Sequence, residues 1–74
     1  LLKEMDAGQR GKIIKIKAHS GINKILSDIG VSSGNIVEVE GPAPHDEKIG
    51  IKVRGYHLYL REEDAANISV ELHQ

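Results

Sequence analysis

Apolar residues along this chain fall into short runs with a period of two, interrupted once by a run with the period of a helix. The stretch Gly11-Lys12-Ile13-Ile14-Lys15-Ile16-Lys17 puts Ile14 and Ile16 on one face and Ile13, Lys15 and Lys17 on the other. It predicts a half-buried strand, entered through a turn at Asp6-Ala7-Gly8-Gln9. Ile22, Ile25, Leu26 and Ile29 then follow at i, i+3, i+4 and i+7, one apolar stripe of a helix over 21–29. Ser20 is the expected N-cap and Gly30 the left-handed residue beyond the C-cap. Lys24 and Asp28 form an i,i+4 pair on the outer face, in the less favourable order.

After a turn at Ser32-Ser33-Gly34-Asn35, residues 36–40 alternate again, with Val37 and Val39 on one face and Glu38 and Glu40 on the other. Residues 41–48 read as a loop, because Pro42 and Pro44 remove backbone donors. Ile49–Val53 and Tyr56–Leu60 flank Arg54-Gly55 and predict a hairpin. Arg61–Ala66 is a short helical turn with its acidic residues near the start, and Ile68, Val70 and Leu72 alternate as a closing strand. Gly8, Gly30, Gly34, Gly41 and Gly55 stand at element ends, where positive φ is commonly needed. Strands this short bury a shared core most readily by curling round on themselves. The predicted fold is mainly β, a small SH3-like five-stranded barrel with one helix inserted after the first strand and a short helical turn before the last. Residues 1–74 are read as one domain.

Composition decides what can fill that barrel and what cannot bind it. With 74 residues and no Cys, Trp or Phe, the core must be aliphatic, with Leu26 inside it. Disulfides and thiolate zinc sites are excluded. Two tyrosines, Tyr56 and Tyr59, are too few to line a groove for proline-rich peptides. Ten Lys and Arg against eleven Asp and Glu give a net charge of −1, which argues against a nucleic-acid partner. No more than two of Ile, Leu and Val stand together, against roughly twenty apolar residues for a membrane span. The opening Leu1–Met5 lacks a basic and an apolar signal region, so a cytoplasmic location and no membrane insertion are expected.

Candidate chemistry is sparse. Ser20, Ser27, Ser32, Ser33 and Ser69 each read as a cap, helix-surface, turn or strand-exterior residue, and none lies in a Gly-x-Ser-x-Gly elbow. No phosphate-binding glycine motif occurs. His19, His45, His57 and His73 are not at the helical i,i+4 spacing of a hydrolytic zinc site, and His57 is expected to share a face with Tyr59. His45 with the adjoining Asp46 is the weak candidate for a divalent metal; no other cofactor is expected. The charge is uneven: Arg10, Lys12, Lys15, Lys17 and Lys24 occur between Ala7 and Ser27 with no acid until Asp28, whereas Glu62, Glu63 and Asp64 cluster later.

The landmarks Gly8-Gln9-Arg10-Gly11-Lys12-Ile13-Ile14, Ile25-Leu26-Ser27-Asp28-Ile29-Gly30-Val31, Gly34-Asn35-Ile36-Val37, Gly41-Pro42-Ala43-Pro44, Ile51-Lys52-Val53-Arg54-Gly55-Tyr56 and Leu58-Tyr59-Leu60-Arg61-Glu62-Glu63-Asp64-Ala65 run in order. Together they resemble the FeoA family, the small ferrous iron transport protein A of bacteria, over nearly the whole chain. Asn23 and Lys24 stand where many relatives carry two arginines. The resemblance implies a non-catalytic accessory protein that docks to the cytosolic G-protein domain of FeoB, a membrane ferrous iron transporter, and regulates it. The uneven charge puts the expected docking surface on Lys15, Lys17 and Lys24, with His19 between them. Self-association is a further expectation. The alternative reading is a metal-responsive regulatory module related to the C-terminal SH3-like domain of iron-dependent repressors.

Overall fold

The computed structural model describes residues 1–42 and 48–73. A 3₁₀ turn at Leu2–Glu4 precedes strand β1 (Arg10–Ile16), helix α1 (Gly21–Asp28), strands β2 (Ile36–Pro42), β3 (Lys48–Val53) and β4 (Tyr56–Arg61), helix α2 (Glu62–Ala65) and strand β5 (Ile68–His73). The five strands form one antiparallel sheet in the order β4-β3-β2-β1-β5. Only Arg10–Lys12 of β1 pair with β2, whereas the whole strand pairs with β5. β1 therefore carries the curl of the sheet. α2 packs on β4, and the 3₁₀ turn on β5 and α2, covering the gap between the two outer strands.

The core is aliphatic throughout: Leu2, Ile13, Ile22, Leu26, Val31, Val37, Val39, Ile51, Val53, Leu60, Ala65 and Ile68 are buried, and among the described residues no polar or charged one is. Val37 and Val39 point inward as their alternation requires. Tyr56 and Tyr59 stay outside. All five glycines expected at element ends take positive φ.

α1 begins and ends as its sequence dictates. The Asn23 N–H donates to Ser20 Oγ (3.2 Å), and Ser20 Oγ donates to the Lys17 carbonyl (2.7 Å). At the other end Gly30 has φ +80°, the Gly30 N–H reaches the Ser27 carbonyl (3.0 Å), and the Val31 N–H reaches that of Leu26 (2.8 Å). That is a Schellman closure, with the buried Val31 and Leu26 as its apolar contact. The hairpin turn is equally direct: Val53 pairs with Tyr56, and Arg54 (φ +51°) and Gly55 (φ +82°) give it the type I′ hand that matches strand twist.

Four expectations are corrected. Ile13, not Ile14, enters the core, and Ile14 is 51% exposed. A β-bulge explains this: Ile13 pairs with Val70, Lys15 pairs with Ser69, and Ile14 is the extra residue. Ile25 of the predicted stripe is 53% exposed, because so short a helix presses only Ile22 and Leu26 fully into the barrel. Lys24 and Asp28 lie on the exterior, but no ion pair joins them. Finally, Gly41 and Pro42 belong to β2, pairing with Gly50 and Ile49 after a second bulge between Val39 and Gly41.

Candidate functional site

β1 and the turn after it position the basic residues singled out by the sequence. Lys15 is outside the barrel on β1, and Lys17 follows the strand, its N–H donating to the Asn67 carbonyl at 2.8 Å. These two lysines line a shallow depression of about 560 Å³ with Ala18, Ala66, Asn67 and Ser69. His19 stands at the tight turn into α1 with φ +62°, a left-handed conformation uncommon outside glycine. It lines a second depression of about 560 Å³ with Ser20, Gly21, Asn23, Lys24, Ser27 and Asp28. The structure thus places Lys15 and Lys17 in one hollow and His19 and Lys24 in another, with Ala18 lining the first.

The cross-strand partners grade the positive charge. Arg10 lies opposite Glu38 and His73, and Lys12 opposite Glu71, so carboxylates offset the first half of β1. Lys15 lies opposite the uncharged Ser69, and Lys17 adjoins Asn67. Among the described residues, Lys15, Lys17 and Lys24 make no ion pair. The positive field is therefore concentrated at the end of β1 that runs into the Ala18-His19 turn.

Little else on the surface resembles chemistry. Ser20 is occupied as a cap. The candidate pair His45 and Asp46 lies outside the described residues, and among those described no group of three or more His, Asp and Glu could hold a metal ion. His57 does share the outer face of β4 with Tyr59, and its Nδ1 is 2.8 Å from Glu40 Oε1. No local pattern signals that contact, since register alone brings β2 and β4 to either side of β3. Nor does any mark the exposed Ile14 between Lys12 and Lys15. No helix among the described residues is long and apolar enough to cross a membrane.

Comparison with known proteins places this geometry in a family. The family model described as the FeoA domain matches residues 1–72. The Fe(2+) transport protein A/Fe(2+) transporter FeoB fusion protein of Porphyromonas gingivalis is 30% identical over 71 residues, which is 96% of this chain and 8% of that protein. The chain thus spans only a small part of the curated relative it matches. Among solved structures, a FeoA-like protein from Clostridium acetobutylicum is 34% identical with a TM-score of 0.82, covering 96% of this chain and 83% of the other. The FeoA of Stenotrophomonas maltophilia, described as a prokaryotic SH3 domain protein and solved with zinc, has a TM-score of 0.80. It is 20% identical and covers 95% of this chain and 87% of its own, a likeness of fold. The barrel is SH3-like, as its strand pattern predicts.

Proposed function

The chain belongs to the FeoA domain family, and from that premise we propose that it is a non-catalytic cytoplasmic accessory protein of ferrous iron uptake. It docks to the cytosolic domain of an FeoB-type transporter and regulates it. The observation that carries this reading is the relative in which an FeoA part and an FeoB transporter share one polypeptide. Fusion holds two modules at high effective concentration, an arrangement useful only where the modules act together. Ferrous iron is then the cargo of the partner, and GTP hydrolysis belongs to the partner as well.

Docking needs a surface rather than a pocket. The two hollows at Lys15–Lys17 and His19–Lys24 are shallow and solvated, suited to side chains of another protein. Lys15 and Lys17, with no carboxylate opposite them, accelerate encounter with an acidic patch and select against basic ones. The test is a binding titration of this chain against the soluble cytosolic domain of an FeoB-type transporter, in its GDP-bound and GTP-analogue-bound states. Binding that differs between the two states is the expected result. Equal binding would reduce the role to a scaffold, and no binding in either state would overturn the proposal.

A further inference from the structure

Resting on that docking reading, we infer that the outer face of β1 recognises an acidic segment of the partner that carries an exposed apolar side chain. Ile14 is the anchor, Lys12, Lys15 and Lys17 are its basic rim, and Ile36 extends the apolar spot. The bulge creates this arrangement. Strict alternation from the buried Gly11 and Ile13 would drive Lys15 into the core and Ile16 out of it. One extra residue resets the count, so that Ile16 packs against the core and Lys15 stays in water. The core needs the inserted residue but not its side chain, and any polar residue would serve at that point. The chain instead has isoleucine there, 51% exposed. Ile36, itself 37% exposed, lies on the same outer face, because it pairs with Lys12 and precedes the inward Val37.

An apolar centre ringed by charge is the usual anatomy of a binding hot spot: the centre is desolvated on contact, and the rim stays wet. Charge complementarity names the occupant. Arg10 and Lys12 face carboxylates across the sheet, whereas Lys15 and Lys17 face none. The unmatched positive charge sits on one side of Ile14. At about 3.3 Å per residue, Lys12 and Lys17 are about 16 Å apart along the chain. The fitting segment has Asp or Glu within that span of a protruding aliphatic or aromatic side chain.

The inference is tested by measuring association and dissociation rates of the chain with the transporter's cytosolic domain over a salt series. The variants are Ile14→Ser, Ile36→Ser, the double Lys15→Glu/Lys17→Glu, and Lys52→Glu on β3 as a charge-reversal control on another strand. Ile14→Ser should dissociate about tenfold faster with its association rate within about twofold, as truncation of an anchor does. Ile36→Ser gives a smaller change in the same direction. The lysine double variant should associate about tenfold more slowly and lose most of its salt dependence. Lys52→Glu should match the wild type. Since Ile14 is half exposed, its variant keeps the wild-type unfolding midpoint. Wild-type binding that Ile14→Ser leaves unchanged overturns this inference while the docking reading stands; a wild type that fails to bind overturns both. Self-association of the isolated chain that Ile14→Ser abolishes would assign the face to a second copy, and so would overturn it too.

Discussion

Gly50→Ala sets two effects of opposite sign against each other, and the structure decides between them. Alanine in a strand interior is favoured over glycine by about 0.5–1 kcal/mol, since glycine loses more freedom on folding. A methyl at Gly50, however, would lie 3.0 Å from the Gly41 carbonyl oxygen and 3.1 Å from Cε1 of Tyr59. The two contacts are not equivalent. Tyr59 is 64% exposed and its ring can swing into water. The Gly41 carbonyl is fixed by the bulge of β2, where Gly41 (φ +133°) pairs with Gly50 itself. Moving that carbonyl by a few tenths of an ångström shifts paired backbone, and overpacking of this kind costs about 1–3 kcal/mol. The net expectation is a loss of about 0.5–2 kcal/mol, read as a lower urea midpoint and a melting temperature down by about 4–8 °C per kcal/mol. Repeating the substitution in a Tyr59→Ala background identifies the contact responsible. If the carbonyl decides, the loss persists with a coupling below about 0.5 kcal/mol. A Gly50→Ala protein as stable as wild type would refute the reasoning, because the bulge would then be free to yield.

Other positions give simpler expectations. Leu26→Ala empties the contact that closes α1 against Val31 and should cost about 2–5 kcal/mol in equilibrium unfolding, so lost transport in that variant would report folding rather than docking. Ser20→Ala removes the acceptor of the Asn23 N–H and should cost about 1 kcal/mol, with the helical signal near 222 nm weakening in proportion. Arg54→Asn relieves a bulky residue at φ +51° in a type I′ turn, and should raise stability by about 0.5–1 kcal/mol. A loss there instead would mean that the Arg54 guanidinium, lying over Gly30 at the end of α1, contributes more than the turn strain costs.

What the sequence discloses is local, and what it hides is register. Ser20 and Gly30 define a helix because capping satisfies backbone groups within a few residues. The hairpin is legible because Arg54-Gly55 separates two alternating runs. Pro42 misleads for a reason of topology. Pairing between β1 and β2 ends at Val39, so β2 is locally an edge at Gly41 and Pro42, where proline is tolerated. Lys15 and Lys17 can be read off a charge plot, but which lysines keep an uncompensated charge depends on Glu71 and Ser69 across the strand pair. The Glu40–His57 contact spans three strands and leaves no local trace.

The two adjacent isoleucines of β1 bring these threads together, because hydropathy cannot tell them apart and the bulge makes them opposites. Ile13 is buried in the core and pairs with Val70 of β5, so Ile13→Ala should lose about 2–5 kcal/mol, a large share of the stability of so small a domain. Ile14 is the inserted residue, and Ile14→Ala should change stability by no more than about 0.5 kcal/mol. If partner binding is measured on the same two proteins, the order should reverse once the folded fraction of each is taken into account: Ile13→Ala binds normally when folded, and Ile14→Ala binds weakly although fully folded. Equal destabilisation of the two would mean that the bulge does not hold Ile14 outside the core, and the apolar anchor would have to be sought elsewhere on the barrel. A bulge thus separates what β1 does for folding from what its outer face does for recognition, within two consecutive residues of the same kind.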